Sequence, residues 1–130
     1  MTEGLVLIGD AAGYSDPHIG QGLSVALRDV RVLSEVLLAG EDWSPAALRP
    51  YAEERADRMR RLRFCNALMT TLRGEFGPAA RERRRRARAL MQAEPELGLW
   101  RRGYLAGPES VPAFAFDERV YEQLCGAPYR

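Results

Sequence analysis

The sequence predicts an α/β fragment, one strand followed by mostly helical structure. Three observations carry this reading. Leu5, Val6, Leu7 and Ile8 form an unbroken apolar run, the pattern of a strand buried on both faces. Beyond a glycine-rich loop, Leu23, Ala26, Leu27, Val30, Leu33 and Leu37 recur at helical spacing. No later stretch reads convincingly as a strand, because Pro112 breaks the best candidate, residues 111–116. One strand cannot satisfy its own ladder groups. Its sheet is therefore expected to be completed by the rest of a larger protein or by another chain.

At 130 residues there is room for one domain at most. The basic residues are all arginine, and the formal net charge is +1. The chain as a whole thus gives no electrostatic argument for nucleic acid. Cys65 and Cys125 lie far apart in no metal-ligand spacing, so no metal site is expected. Only Met1, Thr2, Glu3 and Gly4 precede the apolar run, so no signal peptide is expected, and no apolar run approaches a membrane span. The expected location is the cytoplasm.

Gly9 and Asp10 end the apolar run. Asp10 is either a turn or capping residue, worth about 1 kcal/mol, or a ligand-binding carboxylate. The C-terminal end of a strand is where α/β sheets meet their ligands, and a carboxylate there can accept from a ribose or ribityl hydroxyl. Asp16 and Pro17 read as a turn. Gly20 and Gly22 flank Gln21 just ahead of the helix. Glycine there permits positive φ or close approach of a ligand. The amides of Gln21, Gly22, Leu23 and Ser24 would be unpaired first-turn donors, suited to a polar or anionic ligand.

The stretch GDAAGYSDPHIGQGLSVALRDVRVL resembles the second FAD-binding motif of the class A flavoprotein monooxygenases, the para-hydroxybenzoate hydroxylase-like family. The resemblance covers about the first forty residues. It implies that Gly9 and Asp10 meet the FAD ribityl chain and that Pro17 lies beside the isoalloxazine ring. Gly20, Gln21, Gly22, Leu23 and Ser24 would face the flavin pyrimidine edge. Gly13 stands where the family often has histidine, and Ser24 where it often has asparagine. By the same resemblance, residues 1–76 are the C-terminal part of an FAD-binding domain and residues 77–130 a helical and irregular extension. The implied reaction is hydroxylation of a small organic substrate with NADPH or NADH and O₂.

The family's GxGxxG unit, which holds the ADP part of FAD, has no counterpart in this sequence. The expected partner is therefore the missing N-terminal half, or a second copy of this chain, and the chain alone is expected to be inactive. Two alternatives stand beside this reading: a non-enzymatic helical interaction module that retains a flavoprotein segment, and an inactive gene fragment. His18 is the sole histidine, and it receives no catalytic role, because the flavin would carry the oxygen chemistry.

Ser44 and Pro45 form a helix-start signal, and Pro50 suggests a fresh start at Tyr51. Tyr51, Met59, Leu62, Ala67, Met69, Leu72 and Phe76 then follow one face of a long helix. Glu54 with Arg58 and Asp57 with Arg61 are i,i+4 pairs. Tyr51 reads as structural and Arg55 as an ion-pair partner. Gly74 to Pro78 breaks the helix. Residues 49–94 hold thirteen arginines against six acids. Without interleaved aromatics, that run reads as a solvated face rather than a nucleic-acid or membrane patch. In the tail, Leu97, Trp100 and Tyr104 suggest a docked short helix, and Val120, Tyr121 and Leu124 a last one. Trp43 and Trp100 read as core or interface.

Overall fold

A computed structural model describes residues 4–129. The chain falls into two compact units, divided between Arg60 and Arg61. That division lies upstream of the boundary expected after residue 76.

The first unit opens with residues 4–8, which form no strand among the described residues; Leu5 makes an isolated bridge only. The expected strand is thus absent as a ladder. The physical reason is that no second strand stands among the described residues to pair with it. Ile8 nevertheless keeps extended backbone, at φ −130° and ψ 166°. Gly9–Ala12 and Pro17–Ile19 are 3₁₀ turns. The first helix, α1, spans Gly22–Leu38. Ser44 and Pro45 do not start a helix but a turn, in which the Ala47 amide donates to Ser44 Oγ at 3.3 Å. The next helix, α2, is Arg49–Met69. Pro50 sits in its first turn, where a missing N–H costs nothing.

On α1 the buried residues are Val25 and Asp29. Leu23, Leu27 and Val30 are 73%, 62% and 48% exposed. At 3.6 residues per turn these two sets lie on opposite faces. The apolar stripe that the periodicity marks is therefore the open face, and a polar anchor sits on the covered one. Trp43 is also exposed, and its indole donates to the Leu37 carbonyl at 3.4 Å. It serves the C-terminal end of α1 rather than a core.

In the second unit a π-helical turn, Thr70–Gly74, follows α2. Gly77 precedes α3, Pro78–Ala93, and Ala80 and Ala87 are its buried positions, seven residues apart and so on one face. Short helices α4, Trp100–Leu105, and α5, Glu118–Cys125, complete the unit. Asp117 caps α5 by accepting from the Arg119 amide at 2.9 Å. Residues 111–116 hold a 3₁₀ turn, Ala113–Phe116, and no strand. The core gathers Phe64, Cys65, Leu68, Trp100, Phe116 and Leu124, all at most 3% exposed. Phe64 meets Phe116 and Tyr121 edge-on at 6.2 and 6.4 Å, a favoured aromatic geometry.

Candidate functional site

One face of α2 anchors the apolar run, the loop that follows it and α1. Tyr51, Arg55 and Arg58 recur at i, i+4 and i+7 and so share a face. The Tyr51 hydroxyl donates to the Leu7 carbonyl at 3.0 Å. Arg55 Nη2 donates to the carbonyls of Gly9 and Gly13 at 2.7 and 3.1 Å. Its Nη1 donates to the Ala12 carbonyl at 3.3 Å. One guanidinium therefore ties together the GDAAG turn, whose orphan carbonyls would otherwise lie half-buried without donors.

Arg55 is oriented by Asp29 of α1, which is 0% exposed. Asp29 Oδ2 accepts from Arg55 Nε at 2.9 Å and from the Gly9 amide at 2.8 Å. Its Oδ1 accepts from Arg58 Nη2 at 2.6 Å. Arg58 also pairs with Glu54 at 3.0 Å and donates to the Val25 carbonyl at 3.3 Å. Burial would raise the Asp29 carboxyl, but hydrogen bonds from Arg58, Arg55 and the Gly9 amide bring it below the ordinary aspartate range. Burial would likewise lower Arg58, and its bonds to Asp29 and Glu54 hold it above its usual value instead.

Gly9 itself is buried with φ +55°. A Cβ there would stand 3.5 Å from Ala26 Cβ, so the turn rests directly on α1. An L side chain at this position would be strained by the dihedral rather than by lack of room.

The expected ligand-contact residues lie above this anchor. Asp10 is exposed, and only its backbone is engaged, with its carbonyl accepting from Gly13 at 3.1 Å. Asp16, not Asp10, is the capping aspartate: it accepts from the His18 amide at 2.9 Å and starts the Pro17–Ile19 turn. Pro17 and His18 are exposed. Gly20 follows in the left-handed region, φ +67°, and its amide donates to the Pro17 carbonyl. That reversal delivers Gln21 as the residue before α1, where its side chain caps nothing in the helix. Gly22, Leu23 and Ser24 are exposed first-turn residues, and their amides have no acceptor within the helix. A Cβ at Gly20 or Gly22 would meet nothing within 4 Å.

The structure thus gathers Gly9, Asp10, Pro17, Gly20, Gln21, Gly22, Leu23 and Ser24 in one loop and one helix start. Tyr51 and Arg55 are structural, as their positions suggested. Asp29 and Arg58 were not marked as part of the site by sequence reasoning. The one available signal was an acid on the face of α1 opposite its leucine stripe.

The sequence profile described as squalene epoxidase matches residues 1–54, the stretch that contains this loop. Ubiquinone hydroxylase UbiL of Rhodospirillum rubrum is 35% identical over 115 residues, covering 81% of this chain and 27% of that protein. The chain therefore spans about a quarter of the length of this curated relative. No solved structure matches it. The similarity is thus to proteins named as a hydroxylase and an epoxidase.

Proposed function

We propose that this chain supplies the ribityl- and flavin-side wall of an FAD site in a flavin-dependent monooxygenase of the para-hydroxybenzoate hydroxylase-like kind. The observation that carries the reading is the Asp29–Arg55 anchor. It fixes the GDAAG turn from beneath and leaves the Asp10 side chain exposed above it. A turn built for structure alone would have no need of a second, unengaged carboxylate at its tip.

The residues present fit this group. Asp10 would accept hydrogen bonds from ribityl hydroxyls, with Gly9 letting the turn lie flat against α1. Pro17 would offer a rigid apolar surface to the ring. Gly20 and Gly22 leave open space where side chains would stand, and the amides of Gln21, Gly22, Leu23 and Ser24 would donate to the pyrimidine edge. When bound, FAD supplies the redox and oxygen chemistry, with NADPH or NADH as reductant and a small organic substrate hydroxylated.

The reading also assigns the open surfaces of the first unit. Residues 5–8 would pair into the FAD-binding sheet of the missing N-terminal half, and Leu23, Leu27 and Val30 would be covered by it. The relative's extra length is consistent with a partner of that kind. Self-association is the other way to cover the same surface.

The test is an FAD titration of this chain assembled with the N-terminal part of the relative, with and without Asp10→Ala. A hydrogen bond to a charged group contributes about 1.5–3 kcal/mol, so the variant is expected to lose roughly tenfold or more in affinity. Equal affinity for both forms would overturn the assignment.

A further inference from the structure

The second unit carries an open cavity of about 470 Å³, within the size range of small-molecule sites. Arg73, Arg84, Arg88 and Arg101 line it, and no lining residue is acidic. Three elements converge there: the π-helical turn gives Arg73, α3 gives Arg84 and Arg88, and α4 gives Arg101. The buried part of the wall is Leu72, Ala87 and Trp100.

An arginine on a polar helix face is ordinarily solvated surface, and much of α3 fits that description. Arg85 pairs with Glu82 at 2.9 Å and Arg86 reaches the Gln123 carbonyl at 3.5 Å. The cavity arginines differ. Among the described residues no carboxylate pairs with any of the four. Arg84 donates to the backbone carbonyl of Glu75 at 2.8 Å, while the Glu75 carboxylate is held by Arg83. Arg101 donates to Met91 Sδ at 2.7 Å and lies over the Trp100 ring at 6.0 Å. Arg84 and Arg88 are i,i+4 neighbours of like charge, an arrangement unfavourable on its own. The same wall holds Trp100, whose buried indole N–H has no acceptor among the described residues. Four guanidiniums around one cavity with no carboxylate among its lining residues call for a multiply charged oxyanion.

We propose that this cavity binds a small ligand through a phosphate or diphosphate group. Arg73 and Arg88 are exposed and form its mouth, and Arg84 and Arg101 stand deeper. The site is independent of the FAD reading.

The test uses the full chain carrying Trp43→Phe, so that Trp100 is the sole fluorescent indole, titrated with inorganic pyrophosphate at low salt. A saturable change in emission is expected, weaker with inorganic phosphate. Arg73→Ala combined with Arg88→Ala should weaken pyrophosphate at least tenfold, and neither residue makes a bond the fold needs. Arg81→Ala, on the same helix outside the cavity, should change affinity less than twofold. No saturable response, or an equal loss in Arg81→Ala, would overturn the proposal. A third arm uses phosphatidylglycerol vesicles. Vesicle binding that pyrophosphate does not displace would assign the arginines to a membrane surface and overturn the site.

Discussion

Asp29 and Arg55 meet at 2.9 Å with Gly9 held between them. The Gly9 amide donates to the carboxylate, and the Gly9 carbonyl accepts from the guanidinium. One ion pair thus grips both ends of a single peptide residue in the turn that carries Asp10. Asp29→Asn keeps the shape and an acceptor for Gly9 but leaves Arg55 and Arg58 buried without their shared counter-charge. Breaking a buried pair from one side costs about 3–5 kcal/mol. Urea denaturation should show a loss of that order, and a loss below about 0.5 kcal/mol, the usual range for surface changes, would mean that the anchor is dispensable.

The same carboxylate sets an acid limit. An unperturbed aspartate titrates near 3.9, and Asp29 lies lower in the fold because its three donors outweigh burial. As pH falls, the unfolded chain takes up this proton first. The stabilisation is therefore complete above about pH 4 and is lost as pH drops further, through the lowered folded value. Comparing urea midpoints at pH 7 and pH 3, the parent chain should lose more than Asp29→Asn does. Equal losses would show that other carboxylates govern acid unfolding.

Gly103 lies inside α4 and packs against the core of the second unit. A Cβ there would stand 2.9 Å from two ring atoms of Phe116 and 3.3 Å from Cys65 Sγ. Alanine in a helix interior ordinarily gains about 0.5–1 kcal/mol over glycine. Overpacking costs about 1–3 kcal/mol, and the Phe116 ring is confined by Phe64 and by Arg61 stacked over it at 5.4 Å. Gly103→Ala should therefore destabilise, and Gly103→Val more so. A rise in melting temperature for Gly103→Ala would show that Phe116 can move aside freely.

Local signals carried much of this architecture. The helical period gave α1, the Gly74 to Pro78 break separated α2 from α3, and Val120, Tyr121 and Leu124 marked α5. The glycine loop and its polar tip stood out because few residue types tolerate such turns. Two things were hidden for physical reasons. Periodicity reports which face of α1 is apolar but not what covers it, so the exposure of Leu23, Leu27 and Val30 could be read only from the fold. Asp29 looked like any helix-surface acid, because its burial depends on Arg55 and Arg58, more than twenty residues away. The strand at residues 5–8 failed for a related reason: a ladder is a property of two segments, and the described residues hold no second one. The arginine run was half legible. Its solvated part behaves as read, whereas Arg84 and Arg88 turn toward a cavity that other elements complete.

Cys65 and Cys125 are both free and buried. Burial pushes the Cys65 thiol up to about 12 and the Cys125 thiol up to about 11. Cys65 Sγ also donates to the Trp100 carbonyl at 3.3 Å. The thiolate is the reactive form, so both should be nearly inert to a disulfide reagent at pH 8 in the native chain and react promptly in denaturant. The same shifts set the alkaline limit of stability. Unfolded thiols ionise near 8.5, whereas the folded ones stay protonated well beyond that. Their contribution is complete below about pH 8.5 and is lost as pH rises toward the folded values. Gly103→Ala supplies the internal control, since its added methyl presses on Cys65 Sγ. If packing is what protects the thiol, that variant should label faster at Cys65 than at Cys125. Native labelling as fast as in denaturant, at either position, would contradict the burial on which both expectations rest.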